Sequence, residues 1–104
     1  MVLLSGTGVA AQSPVSIQDI LDFFDASVAN GTLSGAGPGS SADGRLKALR
    51  NMLVHAGYQI SAGSYEDACE QLNDALKRSD EFVQGASQYD LSQMIWDLLD
   101  GLGC

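Results

Sequence analysis

The stretch that decides the fold is Ser16-Ile17-Gln18-Asp19-Ile20-Leu21-Asp22-Phe23-Phe24, which joins a helix start to an apolar helical repeat. A serine at the N-cap accepts a hydrogen bond from a backbone N–H that lacks a partner within the helix. An acidic residue three positions later suits the positive end of the helix. The same spacing recurs in Ser40-Ser41-Ala42-Asp43, Ser64-Tyr65-Glu66-Asp67 and Ser87-Gln88-Tyr89-Asp90. Because each precedes an apolar run with helical spacing, the sequence predicts four capped helices.

Each predicted helix carries apolar residues at spacings of three and four, so each is expected to bury one face. The four stripes consist of Ile17, Ile20, Leu21, Phe24 and Val28; Leu46, Leu49, Leu53, Ala56 and Ile60; Tyr65, Ala68, Cys69, Leu72, Ala75 and Leu76; and Leu91, Met94, Ile95, Leu98, Leu99 and Leu102. Gly31 and Gly63 follow the first two stripes, where a left-handed residue often ends a helix. The patterns therefore predict an all-α fold.

The connections predict how the helices are arranged. Little more than Gly63 separates helices 2 and 3, which should therefore form a tight antiparallel hairpin. The glycine-rich segment 31–39 is expected to be a flexible or tightly turned connector. The segment 79–86 should carry Phe82 and Val83 back onto the edge of the bundle. A small up-and-down four-helix bundle with an extended N-terminal tail follows.

The chain is expected to comprise two parts. Residues 1–15 are interpreted as a short apolar strand and a linker, and residues 16–104 as a four-helix C-terminal domain. Because an isolated strand cannot pair its backbone groups, the strand is interpreted as the remnant of a preceding β-sandwich domain. This predicts that upstream domains of a longer parent chain are partners of the helical domain.

Composition excludes several classes of function. The chain has 13 acidic and 5 basic residues and a formal charge of −8, which would repel a polyanionic backbone, so no nucleic-acid partner is expected. No apolar run approaches the about 18 residues of a membrane helix, so no membrane insertion is expected. With one histidine and no CxxC pair, the chain is expected to hold no metal site of the zinc type.

The sequence contains no recognisable catalytic motif. His55 lies opposite the apolar stripe of helix 2 and Cys69 lies within that of helix 3, so a reactive cysteine–histidine pair fails on geometry. The glycine-rich segment 35–41 precedes a helix but lacks the lysine of a phosphate-binding loop. We therefore predict a protein that is not an enzyme and that holds no cofactor.

The two cysteines, Cys69 and Cys104, are predicted to form a disulfide. In an antiparallel arrangement the end of helix 4 returns to the start of helix 3, and Gly103 gives the chain the freedom that disulfide geometry needs. Closing a loop of about 36 residues would contribute about 4 kcal/mol in the chain-entropy model. Two alternatives stay open, a buried Cys69 thiol with a free Cys104 and an intermolecular bridge.

Two aromatic residues, Tyr89 and Trp96, flank the apolar stripe of helix 4. They could complete the edge of the bundle or form a surface for a protein partner.

The acidic residues of helices 1 and 3 suggest an alternative function, a small-ligand or calcium-binding module. A calcium loop needs ligands at alternating positions in a turn, and that pattern is missing, so a solvated acidic face is the preferred interpretation.

Several phrases resemble a recurrent C-terminal helical module of large secreted or surface-attached prokaryotic proteins. They are Gly31-Thr32-Leu33-Ser34-Gly35-Ala36-Gly37-Pro38-Gly39-Ser40-Ser41-Ala42, Arg45-Leu46-Lys47-Ala48-Leu49-Arg50-Asn51-Met52-Leu53, Ala68-Cys69-Glu70-Gln71-Leu72-Asn73-Asp74-Ala75, Phe82-Val83-Gln84-Gly85 and Leu102-Gly103-Cys104. The opening phrase Leu4-Ser5-Gly6-Thr7-Gly8-Val9 is similar to the last strand of Hydin-type, immunoglobulin-like domains. The resemblance implies an extracellular or cell-surface location and the joint occurrence of the two cysteines. It implies no activity.

Together these observations predict a non-catalytic accessory domain that ends a secreted multidomain protein and has a structural or protein-binding role.

Overall fold

The computed structural model describes residues 15–104, which contain four helices and one small sheet. The helices are α1 (Ile17–Ala29), α2 (Ser40–Ser61), α3 (Tyr65–Phe82) and α4 (Gln88–Gly101). Two short strands, β1 (Ser34–Gly35) and β2 (Val83–Gln84), lie in the two longer connections. The predicted all-α bundle is confirmed, whereas the predicted strand remnant and most of its linker lie outside the described residues.

The four helices pack in a ring in which each is a neighbour of the next, because α4 also contacts α1. The apolar stripes meet in the middle, where Phe24, Leu49, Leu72 and Ile95 are almost completely buried. Two stripe predictions are wrong at their ends, since Val28 and Tyr65 are exposed. Both lie in the terminal turns of their helices, and Val28 borders an open groove between α1 and α2.

Three of the helices end in the same way, with a glycine in the left-handed region. Gly31, Gly63 and Gly103 have φ angles of 82°, 78° and 78° and each follows the C-cap residue. After α4, the N–H of Gly103 donates to Asp100 O and the N–H of Cys104 donates to Leu99 O. This paired pattern is the Schellman motif, which satisfies the last carbonyls of the helix.

The helix starts differ from the prediction, since the capping box forms only at α1. There the N–H of Asp19 donates to Ser16 Oγ and the N–H of Ser16 donates to Asp19 Oδ2. The N-cap of α2 is Gly39 rather than Ser40, and Ser64 and Ser87 make no side-chain cap. An N-cap side chain needs an extended backbone to reach into the first turn, and among the cap serines Ser16 alone has one, with ψ at 163°.

The glycine-rich segment 31–39, predicted to be a flexible or tightly turned connector, contains a paired segment at residues 34–36. Ser34 pairs with Gln84 and Gly35 with Val83 in an antiparallel register, and the N–H of Ala36 donates to Phe82 O. Gly35 is buried, and a Cβ atom at this position would overlap the backbone carbonyl of Ala42 in α2. The predicted folding back of residues 82–83 is confirmed, because Val83 is buried between this strand pair and the bundle.

Helix α3 is longer than the sequence predicts, since it runs to Phe82 where a connection was expected from Ser79. The hydroxyl of the fully buried Ser79 donates to the carbonyl of Leu76 within its own helix. A serine hydroxyl bonded within its own helix does not draw the backbone toward a non-helical conformation. Ser79 Oγ also lies 2.8 Å from Ser92 Oγ, which ties α3 to α4.

Candidate interaction surface

The side of α4 that faces away from the core carries two exposed aromatic rings. The buried side consists of Leu91, Ile95, Leu98 and Leu99. Tyr89 is 67 % exposed and Trp96 is 55 % exposed. The two aromatics therefore do not close the edge of the bundle, which was one of the two interpretations of the sequence.

Helical spacing places four exposed residues in one line along α4. Tyr89, Gln93, Trp96 and Asp100 are separated by four, three and four positions, and residues with these spacings are neighbours on a helix surface. Asp97 lies beside this line at the carboxyl end. We refer to Tyr89, Gln93, Trp96, Asp97 and Asp100 as the α4 face.

All charged side chains of α4 are acidic. The helix carries Asp90, Asp97 and Asp100 and no basic residue. Within residues 15–104 the carboxylates of these three residues make no hydrogen bond or ion pair. Asp97 and Asp100 also stand in the last turns, where the helix dipole already presents its negative end. The α4 face therefore combines aromatic surface with uncompensated negative charge.

A disulfide between Cys69 and Cys104 attaches the carboxyl end of α4 to the start of α3. The two Cα atoms are 5.8 Å apart and the cysteines are separated by 35 positions. The predicted proximity is confirmed, although Cys69 is only half-buried and Cys104 is exposed. Gly103 turns the chain, and Leu99 O fixes the N–H of Cys104, so the bridge is continuous with the end of the helix.

The acidic residues of α1 are engaged within the chain. Asp19 belongs to the capping box, Asp22 accepts from Gln18 Nε2 at 2.9 Å, and Asp25 pairs with Arg50 of α2. Over the described part of the chain no three His, Cys, Asp or Glu side chains are grouped as metal ligands would be. These contacts give no support to the alternative of a calcium site on α1.

The Asp25–Arg50 pair is bidentate and joins α1 to α2. Arg50 Nε and one terminal nitrogen of the guanidinium donate to the two carboxylate oxygens, each at 2.8 Å. This hydrogen bonding lowers the pKa of Asp25 below its ordinary value and raises that of Arg50. Arg45, from the same basic cluster, donates to Ala36 O at 3.1 Å and so holds the strand segment against α2.

Two shallow grooves lie between α1 and α2. One, of about 160 Å³, is lined by Phe24, Val28, Leu46, Lys47 and the Asp25–Arg50 pair. The other, of about 290 Å³, is lined mainly by Ile17, Leu21, Val54 and Tyr58. His55 is exposed, as predicted. Neither groove contains the histidine or a cysteine.

The sequence indicated Tyr89 and Trp96 as a possible partner surface, whereas the other members of the α4 face, Gln93, Asp97 and Asp100, were missed. The stripe of helix 4 is complete without Tyr89 and Trp96, and a projection of the remaining residues would have shown the aromatic line on the opposite side. The absence of lysine and arginine from residues 88–101 was also readable. In contrast, the pairing of Asp25 depends on Arg50 of α2 and could not be read locally.

Comparison of the chain with protein families, curated proteins and solved structures finds no match. Among the helices of residues 15–104, none is both long enough and apolar enough to cross a membrane.

Proposed function

We propose that this chain is a non-catalytic, disulfide-closed accessory domain of a secreted multidomain protein, and that it binds a protein partner through the α4 face. The observation that carries the proposal is the exposure of Trp96 and Tyr89 on one side of a helix whose other side is fully buried. Tryptophan and tyrosine are enriched among the residues that dominate protein interfaces.

The architecture supports a binding role more than a structural role alone. Bundle formation uses the opposite side of α4, so neither aromatic side chain is needed to close the core. A large exposed ring gains little stability from the solvent, and it contributes most when a partner excludes water from it. Two such rings on one side of α4 therefore offer the kind of surface that a protein partner would cover.

The firm attachment of α4 to the rest of the domain supports the same proposal. The Schellman motif and the disulfide hold the carboxyl end of α4, and Ser92 and Gln88 bond it to α3. A surface that is ordered before binding loses less conformational entropy when the partner arrives. The disulfide also favours an extracytoplasmic location, because such bonds persist in oxidising compartments.

A peptide-display selection tests the proposal. The chain is the bait, and peptides that also bind the Tyr89→Ser/Trp96→Ser double variant are removed before the binders are sequenced. We expect peptide families whose binding requires the two aromatics. Tyr58→Ser is the matched control, because Tyr58 is equally exposed but lies on α2, and the peptides should still bind it. A selection that yields no binder dependent on Trp96 would contradict the proposal.

A further inference from the structure

The geometry of the α4 face points to a partner of defined chemistry: we propose that it binds a cationic, arginine-rich segment of a protein. This inference rests on the interaction role proposed above and specifies what the surface recognises. Guanidinium groups would lie over the rings of Trp96 and Tyr89 and would pair with the carboxylates of Asp97 and Asp100.

Charge complementarity is the first argument. Three aspartates and no basic residue lie on α4, and their carboxylates have no partner among residues 15–104. By contrast, Asp25 on α1 has its charge compensated by Arg50. The negative end of the α4 dipole adds to the carboxylates of Asp97 and Asp100. A cation arriving there is attracted by all of these charges, whereas an acidic segment is repelled.

The spacing of aromatic and acidic groups is the second argument. Asp100 is four positions after Trp96, and Asp97 is four positions after Gln93, so each carboxylate adjoins the aromatic line. A cation within about 6 Å of a ring centroid is attracted by the ring quadrupole, most strongly over tryptophan. One guanidinium can therefore contact the ring of Trp96 and donate a hydrogen bond to the carboxylate of Asp100.

The planar guanidinium suits this combination better than the ammonium group of lysine. It stacks on aromatic faces, it forks toward a carboxylate with parallel N–H groups, and it is less strongly hydrated. Lysine can satisfy the charge but stacks less well. The proposal therefore predicts a ranking of ligands, with arginine above lysine and with neutral and acidic segments below both.

A matched set of alanine-based peptides tests this ranking. The peptides carry arginine, lysine, glutamine or glutamate at every third or fourth position, and their binding to the full chain is measured by fluorescence of Trp96, the only tryptophan of the chain. We expect the arginine peptide to bind several-fold more tightly than the lysine peptide and to weaken as salt rises. Equal binding of the arginine and glutamine peptides would overturn the proposal.

Substitutions locate the binding site. Their effect on peptide affinity is measured by calorimetry, because Trp96→Ala removes the fluorescent side chain. Trp96→Ala should weaken the arginine peptide by between about threefold and thirtyfold, as expected for the loss of one cation–π contact. Asp97→Asn/Asp100→Asn should weaken it and reduce its salt dependence. Glu70→Gln/Asp74→Asn on α3 is the matched control with the same change of charge. If this control weakens binding as much as the α4 pair does, the attraction is non-specific and the proposal is wrong.

The peptide-display selection distinguishes the interaction role of the α4 face from the chemistry of its partner. Trp96-dependent peptides rich in arginine support both the interaction role and the partner chemistry. Trp96-dependent peptides that lack basic residues overturn the partner chemistry and leave the interaction role in place. The absence of any Trp96-dependent peptide removes the interaction role itself.

Discussion

Ser87 donates two hydrogen bonds to Thr32 across 55 positions of the chain. The N–H of Ser87 bonds the carbonyl of Thr32 at 2.9 Å, and the Ser87 hydroxyl bonds Thr32 Oγ1 at 2.7 Å. Thr32 in turn follows the end of α1, where its N–H donates to Ser27 O. The end of α1 and the start of α4 are thereby joined through one residue, which fixes the position of the helix that carries the aromatic surface.

The Thr32–Ser87 junction should contribute measurably to stability. Thr32→Val keeps the shape of the side chain but leaves the half-buried Ser87 hydroxyl without its acceptor, so we expect a loss of about 1–2 kcal/mol in the free energy of unfolding. Urea denaturation of Thr32→Val, Ser87→Ala and the double variant gives the coupling energy. Strict additivity of the two single effects would contradict the proposed junction.

A side chain at position 35 should be poorly tolerated. Gly35→Ala would drive a Cβ atom into the Ala42 backbone, so the strand pair or the start of α2 must shift, at a cost of about 2–3 kcal/mol. Gly44→Ala is the matched control, because a Cβ there meets nothing within 4 Å in the middle of a helical turn. That control should stabilise the chain by about 0.5–1 kcal/mol. Thermal unfolding followed by circular dichroism measures both, and equal effects would refute the close approach.

The disulfide should account for a large part of the stability of the domain. Cys69→Ser/Cys104→Ser should lower the free energy of unfolding by about 2–4 kcal/mol, because the unfolded chain gains the entropy of an open loop. Reductant should destabilise the wild-type chain by a similar amount and leave the double variant unchanged. Two titratable thiols in the oxidised wild-type chain would show that the bridge does not form.

The Asp25–Arg50 pair should make a small contribution that depends on pH. Because Arg50 depresses the pKa of Asp25 in the folded chain, the pair stabilises above the unfolded-state pKa of about 3.9, and that contribution is lost as pH falls through the folded-state value. Both side chains are about half exposed, so solvent screening limits the effect to about 0.5 kcal/mol. Asp25→Asn should therefore be less stable than the wild-type chain at pH 7, and the difference should diminish as the pH falls toward 2.

Asp74→Asn is the control for that measurement, because Asp74 has no ion pair within residues 15–104. Its stability should follow the wild-type curve at both pH values. A pH-independent difference between Asp25→Asn and the wild-type chain would mean that the amide changes packing and not charge.

The parts of the fold that depend on neighbouring residues in the sequence were predictable. The stripes around Leu49, Leu72 and Ile95 repeat with helical spacing, and Gly31 and Gly63 follow their stripes where a left-handed helix end is common. The pairing of Cys69 with Cys104 also followed, since an antiparallel arrangement of the last two helices brings their ends together. These signals are local or follow directly from topology.

The features that depend on tertiary contacts were not predictable. Ser64 resembles an N-cap in the sequence. In the structure its N–H donates to Gln59 O at the end of α2, and its backbone is not extended. Ser87 fails as a cap because it bonds Thr32, far away in the chain. The pairing of Gly35 with Val83 is likewise long-range, which is why a glycine-rich segment with no strand pattern turned out to be ordered.

The same distinction between local and tertiary signals applies to the candidate site. The exposure of Tyr89 and Trp96 could be inferred from their position opposite the α4 stripe. Only the structure shows that Asp25 of α1 is compensated by Arg50 and that the α4 aspartates have no such partner within residues 15–104. The partner chemistry follows from the position of these unpaired carboxylates beside two exposed aromatic rings and not from any motif.

The most direct test of the account maps binding on the chain by NMR, with the arginine peptide added stepwise to the ¹⁵N-labelled protein. The account predicts that amide shift changes concentrate at Tyr89, Gln93, Trp96, Asp97 and Asp100. In Trp96→Ala the same changes should need about threefold to thirtyfold more peptide, while the remaining spectrum shows an intact fold. Shift changes that centre on the α1–α2 grooves, or that spread evenly over every acidic helix face, would contradict the central claim that α4 presents the binding surface.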